Sequence, residues 1–157
     1  MEAIDYRQDA KFPFVSAIGQ ADSEKTPRKD LNLEEERTAS AVVDAAIKVH
    51  SILGPGLLES VYEKCLAHEL KQRGLRVSTQ IALPVYYEGV EIESGLRIDM
   101  LIENLVVLEL KAVEQLLPVH EAQLLSYLRL SKRRVGFLLN FHVPLMKDGI
   151  TRRIITS

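Results

Sequence analysis

The sequence predicts an α/β domain with a mixed central sheet flanked by helices. Two runs rich in Ile, Leu, Val and Met, residues 98–102 and 106–110, have the composition of buried strands and are short enough to pair as a hairpin. A leucine-rich segment of helical period follows at residues 118–131, and Pro118 suits its first turn. Residues 133–140 form another apolar run, and a strand reached through such a helical crossover lies parallel to the strand before it.

Two amphipathic helices precede these strands. In residues 33–53 and 57–73 apolar side chains recur at intervals of three and four, and Gly54-Pro55-Gly56 ends the first helix and starts the second. Asn32 is the expected N-cap of the first helix, because its side chain can accept a hydrogen bond from a first-turn N–H group.

The remaining strands are predicted on either side of the hairpin. Residues 75–87 and 90–93 are expected to be extended and to lead into the hairpin as a continuous antiparallel meander, with Pro84 marking an edge or a break. Residues 150–155 are expected to form a last edge strand.

Several polar residues of the predicted helices have two interpretations. His50 falls on the apolar stripe, where a histidine is more often a hydrogen-bonded core residue than a metal ligand. Glu59 lies at the border of an apolar face, so it either points inward or is a first-turn carboxylate favoured by the helix dipole. His120, Gln123 and Tyr127 share one helix face, which is either a surface face or part of a functional site.

The predicted hairpin carries charges that a buried strand does not ordinarily hold. If Asp99 lies opposite Glu109, then Asp99, Glu109 and Lys111 fall on one face of the hairpin and the other face is wholly apolar. A shift by one residue separates the two carboxylates and mixes the faces. We therefore predict the first register, with a loop or bulge of odd length at residues 103–105 around Asn104.

Two carboxylates that face each other repel unless a cation lies between them or one pKa is raised. Mg²⁺ prefers carboxylate oxygens, and Lys111 could offset charge on an attacking hydroxide or a scissile phosphate, as in a metal-dependent phosphodiesterase. The alternative is ion pairing on a half-exposed sheet, of Asp99 with Lys111 or of Arg97 with Glu109. Spacing alone leaves both interpretations open.

Composition indicates one domain with a sizeable core. The chain has 157 residues, 46% of them hydrophobic and 27% charged, and residues 31–157 carry all the periodic segments. Residues 1–30 are predicted to be a loosely ordered extension, within which Phe12-Pro13-Phe14-Val15 could dock on the domain or on a partner. The lone Cys65 excludes an internal disulfide, and the absence of a membrane-length apolar run leads us to expect a cytoplasmic protein without a membrane partner.

The net charge of -2 conceals a basic carboxyl-terminal end. Residues 129–157 contain seven Lys and Arg residues against Asp148 alone, which suits binding of an anionic polymer, although solubility is a slightly better explanation for any single one of these charges. The candidates for phosphate contact are Lys132, Arg133, Arg134, Arg152 and Arg153.

The order of these elements and residues resembles the PD-(D/E)XK nuclease superfamily, whose core is αβββαβ. The stretch G-L-L-E-S-V-Y at residues 56–62 is similar to the motif that names the GxxExxY protein family, and L-E-L-K-A-V-E-Q-L at residues 108–116 also matches that family. The likeness covers residues 31–156. Ile98 stands where the superfamily signature has proline.

The resemblance implies a nuclease that uses Mg²⁺ or Mn²⁺. The ligands that it implies are Asp99, Glu109, the backbone carbonyl of Leu110, Glu59 and, more loosely, His50. Lys111 would orient or activate the attacking water. Gln123 and Tyr127 resemble the Gln-x-x-x-Tyr helix of the RecB-like branch, which braces the site and meets nucleic acid.

Three hypotheses follow. The first is a metal-dependent nuclease that acts on DNA in preference to RNA. The second is a nuclease-fold module with weak or lost chemistry that binds nucleic acid or protein, an interpretation that the absence of Trp favours modestly, because single-strand binders usually offer stacking platforms. The third is an oligomer, such as a homodimer, in which the charged strand face is merely an interface.

Overall fold

The computed structural model describes residues 31–156, so the predicted extension with Phe12 to Val15 lies outside the described residues. Three helices and seven strands follow one another in an order close to the predicted one. The elements are α1 (Leu33–Leu53), α2 (Glu59–Gln72), β1 (Val77–Ala82), β2 (Val85–Tyr87), β3 (Val90–Ile92), β4 (Arg97–Ile102), β5 (Val106–Lys111), α3 (Pro118–Ser131), β6 (Val135–Asn140), a short 3₁₀ helix (Met146–Gly149) and β7 (Ile150–Ile154).

The central sheet is mixed and has the strand order β1-β4-β5-β6-β7. The pair β5–β6 is parallel and the other pairs are antiparallel, which confirms both the crossover through α3 and the last edge strand. Apolar residues of α1 and α2 pack with Met100, Leu108 and Phe137 on one side, whereas α3 packs with Val107 and Leu138 on the other. The fold is therefore the predicted α/β class, a central sheet flanked by helices.

The predicted hairpin register is confirmed. Met100 pairs with Leu108 and Ile102 with Val106, which is the register that sets Asp99 opposite Glu109. Glu103 and Asn104 both have positive φ values, 52° and 56°, and the N–H of Leu105 donates to the carbonyl of Ile102 (2.9 Å). The three-residue connection is the loop of odd length that this register requires.

The predicted continuous meander is wrong at its centre. Strands β2 and β3 form a separate two-stranded ribbon, and β1 pairs directly with β4. Pro84 has no N–H for a ladder, and the N–H of Leu83 donates to the carbonyl of Leu96 (2.9 Å), which closes the base of the ribbon. The ribbon is a local insertion between β1 and β4.

Helix α1 begins as the sequence predicts. The side chain of Asn32 accepts from the N–H of Glu35, and the Glu35 carboxylate accepts from the N–H of Asn32, both at 2.9 Å. This reciprocal capping box satisfies donors that the first turn would otherwise leave unpaired. None of the helices within residues 31–156 has the length and apolar composition of a membrane span.

Tyr62 of α2 holds the glycine-containing connection that precedes Glu59. Its ring is fully buried and stacks on Phe141 with 4.5 Å between ring centroids. Its hydroxyl donates to the carbonyl of Gly54 (2.6 Å) and accepts from the N–H of Leu57 (3.1 Å). The path from α1 to the start of α2 is thus tied to one side chain in the core.

We expect Tyr62→Phe to lower the free energy of unfolding by about 1–2 kcal/mol, because the ring packing stays while the part-buried carbonyl of Gly54 and the N–H of Leu57 lose their hydrogen bonds. Chemical denaturation measures the change. Tyr86→Phe is the matched control, since Tyr86 is 63% exposed and its hydroxyl reaches only Glu91, so its effect should stay within about 0.5 kcal/mol. Equal effects of the two substitutions would contradict the role of the Tyr62 hydroxyl.

Candidate active site

The hairpin ladder ends where the charges begin. Past the pair of Met100 and Leu108, the N–H of Asp99 donates to Oε1 of Glu109 (3.2 Å) and the N–H of Leu110 donates to Oδ2 of Asp99 (2.9 Å). Side-chain carboxylates thus accept hydrogen bonds from the main chain of the facing strand. Each carboxylate accepts one of these bonds through a single oxygen, and the two bonds keep the carboxylates next to each other.

Glu109 is the most strongly perturbed acid among residues 31–156. Its side chain lies in the sheet with only 3% of the residue exposed. Burial, and secondarily the negative charge of Asp99, raise the pKa of Glu109 to about 8 from an ordinary value of 4.5. Without a cation, the pair therefore holds one proton near neutral pH. A bound divalent cation would favour loss of that proton, because it would replace the repulsion from Asp99 with attraction.

Strand β1 is distorted beside the same pair. Gln80 has a φ of 51° and interrupts the ladder between the pairs of Thr79 with Met100 and Ile81 with Ile98. Its side-chain amide donates to both carboxylate oxygens of Glu63 on α2 (3.1 Å each). Asp99 therefore lies where β4 pairs regularly with neither neighbour, a feature that the strand-like sequence of β1 does not signal.

Lys111 is half-buried at the end of β5, and its main chain is fixed by the end of β6. The N–H of Phe141 donates to the carbonyl of Lys111 (2.9 Å). The buried side chain of Asn140 accepts from the N–H of Val113 (3.1 Å) and donates to the carbonyl of Val113 (2.9 Å). The Asn140 side chain thereby continues the pairing of β5 and β6 past the ends of the two strands, because it bonds the main chain of Val113 as a neighbouring strand would. Its only signal in the sequence is a polar residue at the end of an apolar strand.

Glu59, the first residue of α2, lies close enough to the pair to interact with it. Burial raises its pKa, the charge of Lys111 opposes that rise, and the charges of Asp99 and Glu63 add to it. These couplings favour the interpretation in which Glu59 contributes to the site, which stays a prediction. Glu59, Asp99 and Lys111 thus share one electrostatic environment.

Gln123 and Tyr127 approach the site from α3 on the opposite side. The side-chain amide of Gln123 donates to the Tyr127 hydroxyl (2.9 Å), and Tyr127 is 4% exposed. Burial raises the pKa of Tyr127, the Gln123 hydrogen bond lowers it, and the charges of Glu109 and Asp99 raise it. The two residues thus form a hydrogen-bonded pair beside the carboxylates. His120, one turn before Gln123 on α3, interacts electrostatically with Lys111, an interaction that the spacing along the helix does not predict.

His50 does not join this group. It is buried on α1, and its Nε2 lies 2.7 Å from the carbonyl of Val143. Because a carbonyl oxygen only accepts, Nε2 is the donor and is not available as a ligand. The interpretation of His50 as a hydrogen-bonded core residue is correct, and the implied metal ligation by this nitrogen is not supported.

Three of the five predicted phosphate-contact residues lie away from the carboxylates. Lys132, Arg133 and Arg134 precede β6, whose first residue pairs with Val106 near the hairpin turn. Lys111 lies five residues beyond Val106, or roughly 16 Å at the rise of a β-strand. These three residues therefore lie at the far end of the sheet, because the parallel pairing of β5 and β6 separates the start of β6 from the site.

Four of the five predicted basic residues are also engaged by polar groups of the protein. Arg133 donates to the Asn104 side chain, and Arg134, Arg152 and Arg153 pair with Glu35, Glu36 and Glu121 at 3.2, 2.7 and 2.7 Å, respectively. Net charge along the chain could not reveal this, since the acidic partners lie on α1 and α3. The positive charge of these four residues is therefore partly offset within the protein, and phosphate contact by them stays a prediction.

The carboxylate oxygens of this site fit a hard divalent cation whose remaining ligands are water molecules or substrate oxygens. Within residues 31–156 no three His, Cys, Asp or Glu side chains are grouped as a complete metal cage. Mg²⁺ typically binds through one or two carboxylates and leaves its remaining positions to water and phosphate oxygens. Asp99 and Glu109 supply two adjacent carboxylates, and burial together with the charge of Asp99 raises the pKa of Glu109, so a cation bound there would favour its ionised form.

Comparison with known proteins adds one match. A profile of the PD-(D/E)XK nuclease superfamily matches residues 36–153, about three quarters of the chain. The matched region includes every residue of the candidate site. Comparisons with curated proteins and with solved structures give no match.

In the presence of a chelator, we expect the free energy of unfolding to fall as the pH rises from about 5 to 8 and then to level off. The folded pKa of Glu109, about 8, exceeds the ordinary value of 4.5, so its stabilising contribution is complete below the unfolded pKa and is lost as the pH rises through the folded one. Denaturant titrations at several pH values measure this slope.

Glu109→Gln is the matched control for that slope, because the amide keeps an acceptor for the N–H of Asp99 and cannot ionise. We expect its stability to vary less over the same pH range. Parallel curves for the two proteins would show that Glu109 does not titrate with a raised pKa.

Proposed function

Because the chain belongs to the PD-(D/E)XK nuclease superfamily, we propose that it is a metal-dependent nuclease that hydrolyses phosphodiester bonds in DNA. Nucleases of this superfamily act on nucleic acid and generally use divalent metals. The observation that carries the proposal is the pair Asp99 and Glu109, held together by main-chain N–H groups with Lys111 two residues beyond.

Within the superfamily, we assign the chain to the GxxExxY family and the RecB-like branch. The support for the first is the segment 56–62, in which Tyr62 fastens the connection before Glu59. The support for the second is the hydrogen-bonded pair of Gln123 and Tyr127 on α3. Both motifs thus have a physical role near the candidate site.

The carboxylates of Asp99 and Glu109 would hold Mg²⁺ or Mn²⁺, with the carbonyl of Leu110 as a further oxygen donor. Glu59 is coupled electrostatically to Asp99 but forms no three-residue group with the pair, so it would contribute negative charge beside the cation. When bound, the cation would offset negative charge on the phosphate during the reaction. Lys111 would place a positive charge beside the scissile phosphate and orient the attacking water. Gln123 and Tyr127 would brace the carboxylate pair from the α3 side, where the negative charges of Glu109 and Asp99 contribute to the raised pKa of Tyr127.

A catalytically weak module that binds nucleic acid or protein is the second candidate. Two observations favour it: the described residues contain no cluster of three metal-ligating side chains, and the predicted basic residues are largely paired with polar groups of the protein. It shares the fold and the superfamily with the nuclease and differs in chemistry alone.

We expect cleavage of labelled DNA in Mg²⁺ or Mn²⁺, and we expect Asp99→Ala and Lys111→Ala each to reduce it at least about a hundredfold, as the loss of a group that stabilises transition-state charge does. Single-stranded DNA, duplex DNA and RNA are tested in parallel, which also examines the preference for DNA. Glu88→Ala and Lys64→Ala, at exposed positions of the ribbon turn and of α2, are the matched acidic and basic controls.

Cleavage that survives both Asp99→Ala and Lys111→Ala would refute the assigned site. Calorimetry and thermal shift with Mn²⁺ separate the two candidate functions. The nuclease predicts a Mn²⁺-dependent stabilisation that Asp99→Ala removes, whereas a protein that binds DNA but shows no response to Mn²⁺ would be the binding module.

A further inference from the structure

His120 is held in one tautomer by the start of α3. The N–H of Leu117, the N-cap residue, donates to Nδ1 of His120 (3.0 Å). Because this N–H can only donate, Nδ1 accepts and carries no proton, so the proton of the neutral ring is on Nε2. The capping contact therefore leaves the ring with an N–H donor on the side away from the helix start.

The Nε2 side of this ring is available to a ligand. Among residues 31–156 no group forms a hydrogen bond with Nε2 of His120. In the same residues the one buried polar side-chain atom that lacks a partner is Nε of Arg133, so Nε2 of His120 is accessible to solvent. Burial, and secondarily the charge of Lys111, lower the pKa of His120 below its ordinary value. The ring is therefore a neutral directional donor at neutral pH.

His120 is placed beside the candidate site and not merely on the surface of α3. It shares a helix face with Gln123 and Tyr127, and Tyr127 is coupled to the charges of Asp99 and Glu109. His120 itself is coupled to Lys111. This face of α3 is therefore coupled electrostatically to the carboxylate pair through Tyr127 and to Lys111 through His120.

We propose that His120 binds the nucleic acid directly, with its Nε2–H donating to a non-bridging phosphate oxygen next to the one that Lys111 attracts. This role rests on the nuclease function proposed above. A lysine contributes a mobile point charge, whereas a ring fixed through Nδ1 contributes a donor of set direction. The two together fix the position of the nucleic-acid backbone.

Substitutions can separate this role from helix capping. His120→Ala removes both the acceptor for the N–H of Leu117 and the donor for phosphate. His120→Gln offers a carbonyl for the cap and an amide donor, as Gln does at this position of a capping box. His120→Glu keeps the cap acceptor but has no donor. His68→Ala, at an exposed histidine of α2, is the matched control.

The experiment measures binding of labelled single-stranded and duplex DNA in Ca²⁺, over a range of salt concentrations, together with thermal stability. We expect His120→Ala and His120→Glu to weaken binding about tenfold or more, the loss expected for one hydrogen bond to a charged oxygen. His120→Gln should stay within about threefold of the wild-type protein, and His68→Ala should not change the affinity.

The salt dependence identifies the donor as neutral. Loss of a cation that contacts phosphate lowers the slope of log K against log salt by about one, so Lys111→Ala should lower it. His120→Ala should weaken binding without lowering the slope. A slope lowered by His120→Ala would show a cationic contact and overturn the proposal as stated.

Cleavage kinetics distinguish failure of this role from failure of the nuclease assignment. If the wild-type protein neither binds nor cleaves DNA, both proposals fail. If it cleaves DNA in a manner that requires Asp99, but His120→Ala binds DNA as tightly as wild type, only the role of His120 fails. The role also fails if His120→Ala loses thermal stability and affinity but His120→Gln restores stability alone. The role of His120 is supported if His120→Ala raises KM by a larger factor than it lowers kcat, and if His120→Gln returns KM toward the wild-type value.

Discussion

The candidate site depends on one exchange of hydrogen-bond partners between β4 and β5. Up to Met100 and Leu108 the strands pair through their main chains, and one residue later the carboxylates of Asp99 and Glu109 accept the hydrogen bonds instead. Without this exchange, two like charges in a buried sheet would repel without compensation. With this exchange, one oxygen of each carboxylate accepts a hydrogen bond from a main-chain N–H group, and the second oxygen accepts neither of these two bonds.

The elements around the pair maintain this opening in the sheet. On one side Gln80 interrupts the β1 ladder and binds Glu63 of α2, the helix that also presents Glu59. On the other side Asn140 and Phe141 of the β6 end hold the segment that begins at Lys111. The reactive groups are therefore fixed by the two strands and the helix nearest to them, and their geometry does not depend on the charged outer surface.

Much of the fold could be predicted because its determinants are local. The period of two places all the charges of the hairpin on one face only in a single register, and that register is the observed one. Asn32 followed by Glu35 is a cap that neighbouring residues form by themselves. The ribbon of β2 and β3 could not be predicted in the same way, because an extended segment has the same sequence pattern whether it joins the main sheet or pairs with its neighbour.

The candidate site residues could be identified from local pattern alone: two carboxylates in one strand register, a lysine two residues after the second, and polar residues at helical spacing on α2 and α3. Which of them have partners depends on the tertiary structure. In the fold His50 is hydrogen-bonded to the carbonyl of Val143, three arginines pair with glutamates, and His120 interacts electrostatically with Lys111. The physical reason is that periodicity fixes the face on which a side chain lies, whereas its partner depends on contacts between elements far apart in the chain.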